Sequence, residues 1–142
     1  EIETIKTLAD ADQVVIACGG GGIPVVKNDE GDYESIPAVI DKDFASAKLA
    51  ELVNADYLFI LTAVDRVAIN FGKPEQKDLV SITVDEAKQY ASEGHFAPGS
   101  MLPKVEAAIS FASSKPGRKA VIGSLEKAPL AMKGESGTMI SL

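Results

Sequence analysis

The sequence predicts an α/β fold, a three-layer sandwich with a mainly parallel central sheet, and three observations carry that prediction. Residues 13–18, 56–61 and 119–122 are short, apolar, β-branched or aromatic runs without a polar alternation, the pattern of strands buried on both faces. Between them lie segments whose apolar residues return at helical spacing. The switches of period are marked by glycine, proline or a capping residue.

Residues 1–8 read as helix-like and lead almost directly into the first strand, Gln13-Val14-Val15-Ile16-Ala17-Cys18. The chain does not start with Met, so further sequence is expected ahead of it. Four glycines, Gly19 to Gly22, stop that strand. Residues 24–27 and 33–36 then flank Asn28-Asp29-Glu30-Gly31-Asp32, an exposed hairpin with a glycine in its turn. From Asp43 to Val53 the period becomes helical, with Ala45, Leu49, Leu52 and Val53 on one face. Residues 56–61 form the next buried strand and residues 67–70 a smaller one.

Thr83-x-x-Glu86 is a capping box, opening a helix that runs to Ser92 and stops at Gly94. Pro103 marks the start of another helix, where its missing N–H costs nothing, and Val105, Ala108, Ile109 and Ala112 form its buried stripe. Residues 119–122 are a third core strand, Ser124 is expected to cap a short helix, and residues 138–141 a terminal strand. Strands alternating with helices give the α/β class, and in such sheets ligands sit beyond the carboxyl ends of the strands.

The totals narrow the function. A chain of 142 residues, 46% apolar and 25% charged, is one domain or a large piece of one. Its formal charge of −7 disfavours nucleic acid and anionic membrane as partners, and no apolar run is long enough to span a bilayer. The single cysteine, Cys18, excludes an intrachain disulfide framework and a cysteine metal site. The polar opening residues are not a signal peptide, which fits a cytoplasmic setting. In so acidic a chain an anionic ligand needs a local cluster of lysines, backbone N–H groups or a metal.

Four segments meet that requirement or lie where a ligand would. Gly19 to Gly22 follow a strand and let a ligand approach bare N–H groups, although neither a Walker lysine nor a dinucleotide fingerprint follows, and a tight turn explains them equally well. In Ile40-Asp41-Lys42-Asp43, either aspartate can cap the coming helix, but Lys42 opposes the helix dipole. Lys104 lies in a first helical turn as well, and an anion held jointly by the lysine and free N–H groups would reverse that penalty. Thr62-Ala63-Val64-Asp65 follows the strongest strand, where a purine or ribose could lie. His95 and Cys18 receive no catalytic role.

Taken together and in this order, Cys18-Gly19-Gly20-Gly21-Gly22-Ile23-Pro24-Val25, Ala38-Val39-Ile40-Asp41-Lys42-Asp43, Leu61-Thr62-Ala63-Val64-Asp65 and Glu93-Gly94-His95-Phe96-Ala97-Pro98-Gly99-Ser100-Met101-Leu102-Pro103-Lys104 resemble the carbamate kinases of the amino acid kinase family. The resemblance covers essentially the whole chain but only the later part of such enzymes, and Gly137-Thr138 matches a family ending. His95 stands where glutamine is expected in many relatives.

What the resemblance implies is specific. Residues 1–42 would be the end of an acid-substrate lobe and residues 43–142 an ATP lobe. The activity would be reversible phosphoryl transfer between ATP and carbamate, with ammonia on the carbamate side. Asp43 would organise the catalytic Lys42 and Lys104, which contact the ATP phosphates and the transferring group. Gly19, Gly20, Gly21 and Gly22 would face the acid substrate and the reaction centre. Thr62, Ala63, Val64, Asp65, Phe96, Met101, Pro103 and Lys104 would surround the nucleotide. ATP or ADP is the implied co-substrate, Mg²⁺ would ride mainly on the phosphates without a metal site of the protein's own, and the full-length enzyme would be a homodimer. Such enzymes carry another phosphate loop and a further catalytic lysine in an amino-terminal half, so this piece alone is expected to be inactive or nearly so. Other amino acid kinases, acting on acetylglutamate or a nucleoside monophosphate, and a non-catalytic nucleotide-binding module are the alternatives.

Overall fold

The computed structural model describes residues 1–142. Its centre is a four-stranded sheet built from β3 (Tyr57–Thr62), β6 (Ser81–Thr83), β7 (Lys119–Ser124) and β8 (Thr138–Ser141), in the order β3-β7-β8-β6. β3 runs parallel to β7 with Tyr57 opposite Lys119 and Thr62 opposite Ser124. β6 runs parallel to β8, while β7 and β8 are antiparallel. The sheet is therefore mixed, with two of its three pairings parallel. The α/β architecture is the one the sequence predicts.

Three helices, α2 (Lys42–Leu52), α3 (Val84–Ser92) and α4 (Met101–Ser113), pack side by side, with α4 between the other two and lying on β7, β8 and β3. Val105, Ala107, Ala108, Phe111 and Ala112 give α4 a fully buried face. They share one core with Leu58, Ile60, Ile82, Ala120, Ile122 and Ile140 of the sheet. From Ala120 to Ser124 every residue of β7 is buried, as expected of a central strand covered on both faces. β3 alternates instead, burying Leu58 and Ile60 and leaving Tyr57 and Leu61 exposed.

Local signals act where the sequence puts them. Thr83 Oγ1 accepts the Glu86 N–H and Glu86 Oε2 accepts the Thr83 N–H, closing the capping box of α3. Gly94 takes φ +77 just beyond that helix. Residues 1–41 add a helix, α1 (Ile2–Asp10), and the expected hairpin of β1 (Val25–Lys27) and β2 (Tyr33–Ser35), both strands exposed.

Three expectations are corrected. Residues 13–18 form no strand: Val14 and Ile16 are each 97% exposed. A parallel strand needs a hydrogen-bonded neighbour, and neither β3 nor β6, the edges of the sheet, pairs with this segment. Ser124 ends β7 and does not cap the next helix; α5 (Ala128–Met132) starts after Lys127, while Ser124 Oγ accepts the Glu126 N–H inside the connecting turn. On α2 the face in the core is Asp43, Ala47 and Ala50, because these short side chains allow α4 to approach. Ala45 and Leu49 of the expected stripe are only half-buried and, with exposed Leu52, line a depression against Ile2 and Ile5 of α1. Two short strands have no sequence signal of their own: β6, and β5 (Lys77–Asp78), which pairs antiparallel with β4 (Ala68–Ile69).

Candidate active site

The site lies at the amino-terminal ends of α2 and α4. Asp41 caps α2, its Oδ1 accepting the Asp43 N–H at 2.8 Å and the Phe44 N–H at 3.4 Å. With Asp41 serving the backbone, the Asp43 carboxylate is left for side chains. Its Oδ2 accepts from Lys104 Nζ at 2.7 Å, and Lys42 Nζ lies 3.8 Å from its Oδ1. Asp43 and Lys104 are mostly shielded, with side chains 11% and 16% exposed, whereas Lys42 is 59% exposed. One carboxylate thus stands between two ammonium groups from different helices, with Lys104 61 residues from Asp43 in sequence.

The charge balance is informative. Two cations share the Asp43 carboxylate, so these three side chains carry one net positive charge, set beside the capping carboxylate of Asp41 in a chain of formal charge −7. Lys104 sits in a first helical turn, which the dipole disfavours, and the short bond to Asp43 offsets that penalty. One expectation fails in detail. The first N–H groups of α4 are not free for an anion: those of Ser100, Met101 and Leu102 all point to the Ala97 carbonyl, and Pro103 has none. At this helix the lysine, not the backbone, is what can meet a phosphate.

Lys104 also lines a cavity of about 210 Å³. Thr62, Val64, Phe96 and Met101 line it as well, so five of the sequence-nominated nucleotide residues converge there. Ala63 and Asp65 do not line it; they alternate away, and Asp65 pairs with Lys127 across the turn after β7. Pro103 is half-buried on α4 without lining it. Sequence reasoning missed Arg66 and Phe71, which do. The signal was available, since Thr62, Val64, Arg66 and Ala68 follow one another at the period of an extended chain and all face the cavity.

Gly19 to Gly22 border a separate and more open hollow together with Cys18 and Tyr33. Gly21 ties this loop to the charged cluster. It takes φ +145, and a Cβ placed on it would stand 1.8 Å from the carbonyl oxygen of Ile40, two residues before Lys42. The glycine loop and the Ile40–Asp41 backbone can lie this close only because position 21 has no side chain.

The amino acid kinase family model matches residues 1–124. The chain belongs to the amino acid kinase family. Among curated relatives it is 59% identical over 141 residues to the carbamate kinase of Clostridium perfringens, covering 99% of this chain and 44% of that protein. To carbamate kinase 1 of Enterococcus faecium it is 55% identical, with 99% and 45% covered. The solved carbamate kinase from Giardia lamblia bound to AMP-PNP superposes with a TM-score of 0.94 at 43% identity, over 99% of this chain and 44% of that one. This amino acid kinase chain therefore spans less than half the length of the relatives it matches.

Proposed function

We propose that this chain is the nucleotide-binding part of a carbamate kinase, residues 43–142 forming the ATP lobe and residues 1–42 the end of the acid-substrate lobe. The observation that carries the reading is the Asp43 carboxylate between Lys42 and Lys104, beside a cavity that Lys104 also lines. The identity to carbamate kinases supports the choice of substrate over acetylglutamate or a nucleoside monophosphate.

The reaction needs little covalent help from protein. As carbamate attacks the γ-phosphorus of ATP, or ADP attacks carbamoyl phosphate in reverse, negative charge spreads over the transferring oxygens. Lys104 Nζ, held by Asp43, would meet that charge from the shielded side, and Lys42, more exposed and less tightly paired, from the other. Asp43 takes no proton in this scheme; it aims the lysines. Its oxygens already face two ammonium groups, so the donor set suits an anion, and a Mg²⁺ ion would be carried by phosphate oxygens and water. The ion, when bound, supplies further compensation of phosphate charge. The glycine loop, backed onto Ile40, would receive the acid substrate. The whole enzyme would be a cytoplasmic homodimer with neither nucleic acid nor membrane as a partner, and this chain alone would bind nucleotide with little or no turnover.

The test has two arms. Calorimetry on the chain should detect AMP-PNP binding, weakened about tenfold or more by Lys104→Ala, the scale of one lost charge-assisted bond. Substituting this chain for the matching part of the Clostridium perfringens enzyme should leave ATP formation from carbamoyl phosphate and ADP. A folded chimera inactive with carbamoyl phosphate but active with acetylglutamate or a nucleoside monophosphate would overturn the substrate, and a chain that ignores AMP-PNP would overturn the nucleotide site.

A further inference from the structure

His95 lines the same cavity as Lys104, and the nucleotide reading gives it no task. Its surroundings are specific. The imidazole side chain is 22% exposed and lines the cavity. Nδ1 accepts the backbone N–H of Asn70 at 3.4 Å, and Nε2 lies 3.3 Å from Glu93 Oε2. The ring stands edge-on to Tyr90, with centroids 5.7 Å apart. An Nδ1 that accepts carries no proton, so the ring proton belongs on Nε2, where it faces the Glu93 carboxylate. Both ring nitrogens are therefore committed to the protein, which leaves none for acid–base work on a substrate.

What the imidazole holds is the more telling part. Asn70 takes φ +53, a left-handed conformation unusual for a residue with a side chain. Gly72 takes φ +75. Between them Phe71 turns to the rim of the cavity and stays 70% exposed, although it is a large apolar ring. His95 itself is fixed, since its backbone N–H donates to the carbonyl of Tyr90 in the last turn of α3. A rigid helix end thus reaches through one imidazole to the bend that presents Phe71.

We propose that His95 is a positioning residue of the nucleotide site: by accepting the Asn70 N–H it keeps Phe71 in place as a wall for the base of the nucleotide. The proposal rests on the nucleotide reading above and adds a division of labour to it. Lys104 and Lys42 would hold the polyphosphate, while His95, acting through Asn70 and Phe71, would govern affinity for the base alone.

Two variants separate the acceptor from the ring. In His95→Asn the side-chain oxygen can stand where Nδ1 stood; in His95→Leu no acceptor remains. Calorimetry with AMP-PNP and with inorganic tripolyphosphate, which has no base, reads the effect. His95→Leu should weaken AMP-PNP about tenfold and leave tripolyphosphate within twofold, about what the loss of one hydrogen bond and its ordered loop predicts. His95→Asn should stay within about threefold for both. Phe71→Ala should reproduce the base-dependent loss, and adding it to His95→Leu should cost little more. The Asn70 amide should exchange with solvent faster in His95→Leu and keep its protection in His95→Asn. Equal losses in the Asn and Leu variants, an equal loss for tripolyphosphate, or AMP-PNP affinity unchanged in His95→Leu would each overturn the proposal. An unmodified chain that binds neither probe would defeat the nucleotide reading instead, while Asn70 amide exchange unchanged by His95→Leu would still refute the positioning contact.

Discussion

Asp43 decides more at the residue scale than any other side chain. Its oxygens reach Lys104 at 2.7 Å and Lys42 at 3.8 Å, so removing its charge leaves two neighbouring cations with no anion between them. Asp43→Asn should therefore cost about 1–3 kcal/mol of folding stability, measured by urea titration, and should also let both lysines spread. Gly21 is the second sensitive position. A methyl group there would overlap the Ile40 carbonyl at 1.8 Å, and the φ of +145 penalises any side chain. Gly21→Ala should lower the melting temperature and shift the amide resonances of residues 40–43, whereas Gly20→Ala, which would meet no atom within 4 Å, should not. The charged triad was legible in the sequence because Lys42 and Lys104 both sat where a helix dipole repels them, an anomaly that needs a partner. His95 was not legible: its meaning depends on Asn70, 25 residues away, being bent to meet it.

At the scale of elements, caps and patterns behaved as local physics requires and pairing did not. The capping box of α3 was readable from four residues because all of its bonds lie within them. Thr83→Ala should destabilise the protein by about 1 kcal/mol, read from the urea midpoint. The same box makes a pH prediction. The Thr83 backbone N–H, and then its hydroxyl, hold the Glu86 carboxyl below its ordinary 4.5. A carboxyl depressed on folding adds stability that is complete above its unfolded value and lost as pH falls through the folded one. Replacing Glu86 by Gln should therefore flatten the stability profile only below about pH 4.5, a window set by that ordinary value. Strand pairing is non-local, and this is why residues 13–18 misled: the run has the composition of a buried strand, yet composition does not supply a neighbour. The small residues Ala47 and Ala50 misled in the opposite sense, having little hydrophobic signal but forming the surface where α2 meets α4.

Across the whole molecule, burial is uneven. Within residues 1–41 only Gly21 is buried, whereas the shared core draws its 18 residues from position 47 onward. Amide exchange should divide accordingly, fast throughout residues 1–41 and slowest in α4 and β7. Phe111→Ala, in the middle of that core, should cost about 3–5 kcal/mol, enough to unfold much of the population if total stability is near the lower end of the usual range. The α/β class survived the misplaced strand because β3, β7 and α4 carry it without help from the first 41 residues. β6 joins the sheet solely through β8, a strand made more than 50 residues later, and Thr138 at the start of β8 also bonds the Val67 N–H and the Leu79 carbonyl. A ribosome that has released β3, α4 and β7 still holds a polypeptide whose β6 has no partner. On this pairing β6 stays unpartnered until β8 has been synthesised, and a nascent chain arrested before Thr138 should expose β6 to chaperones and proteases that ignore the folded protein.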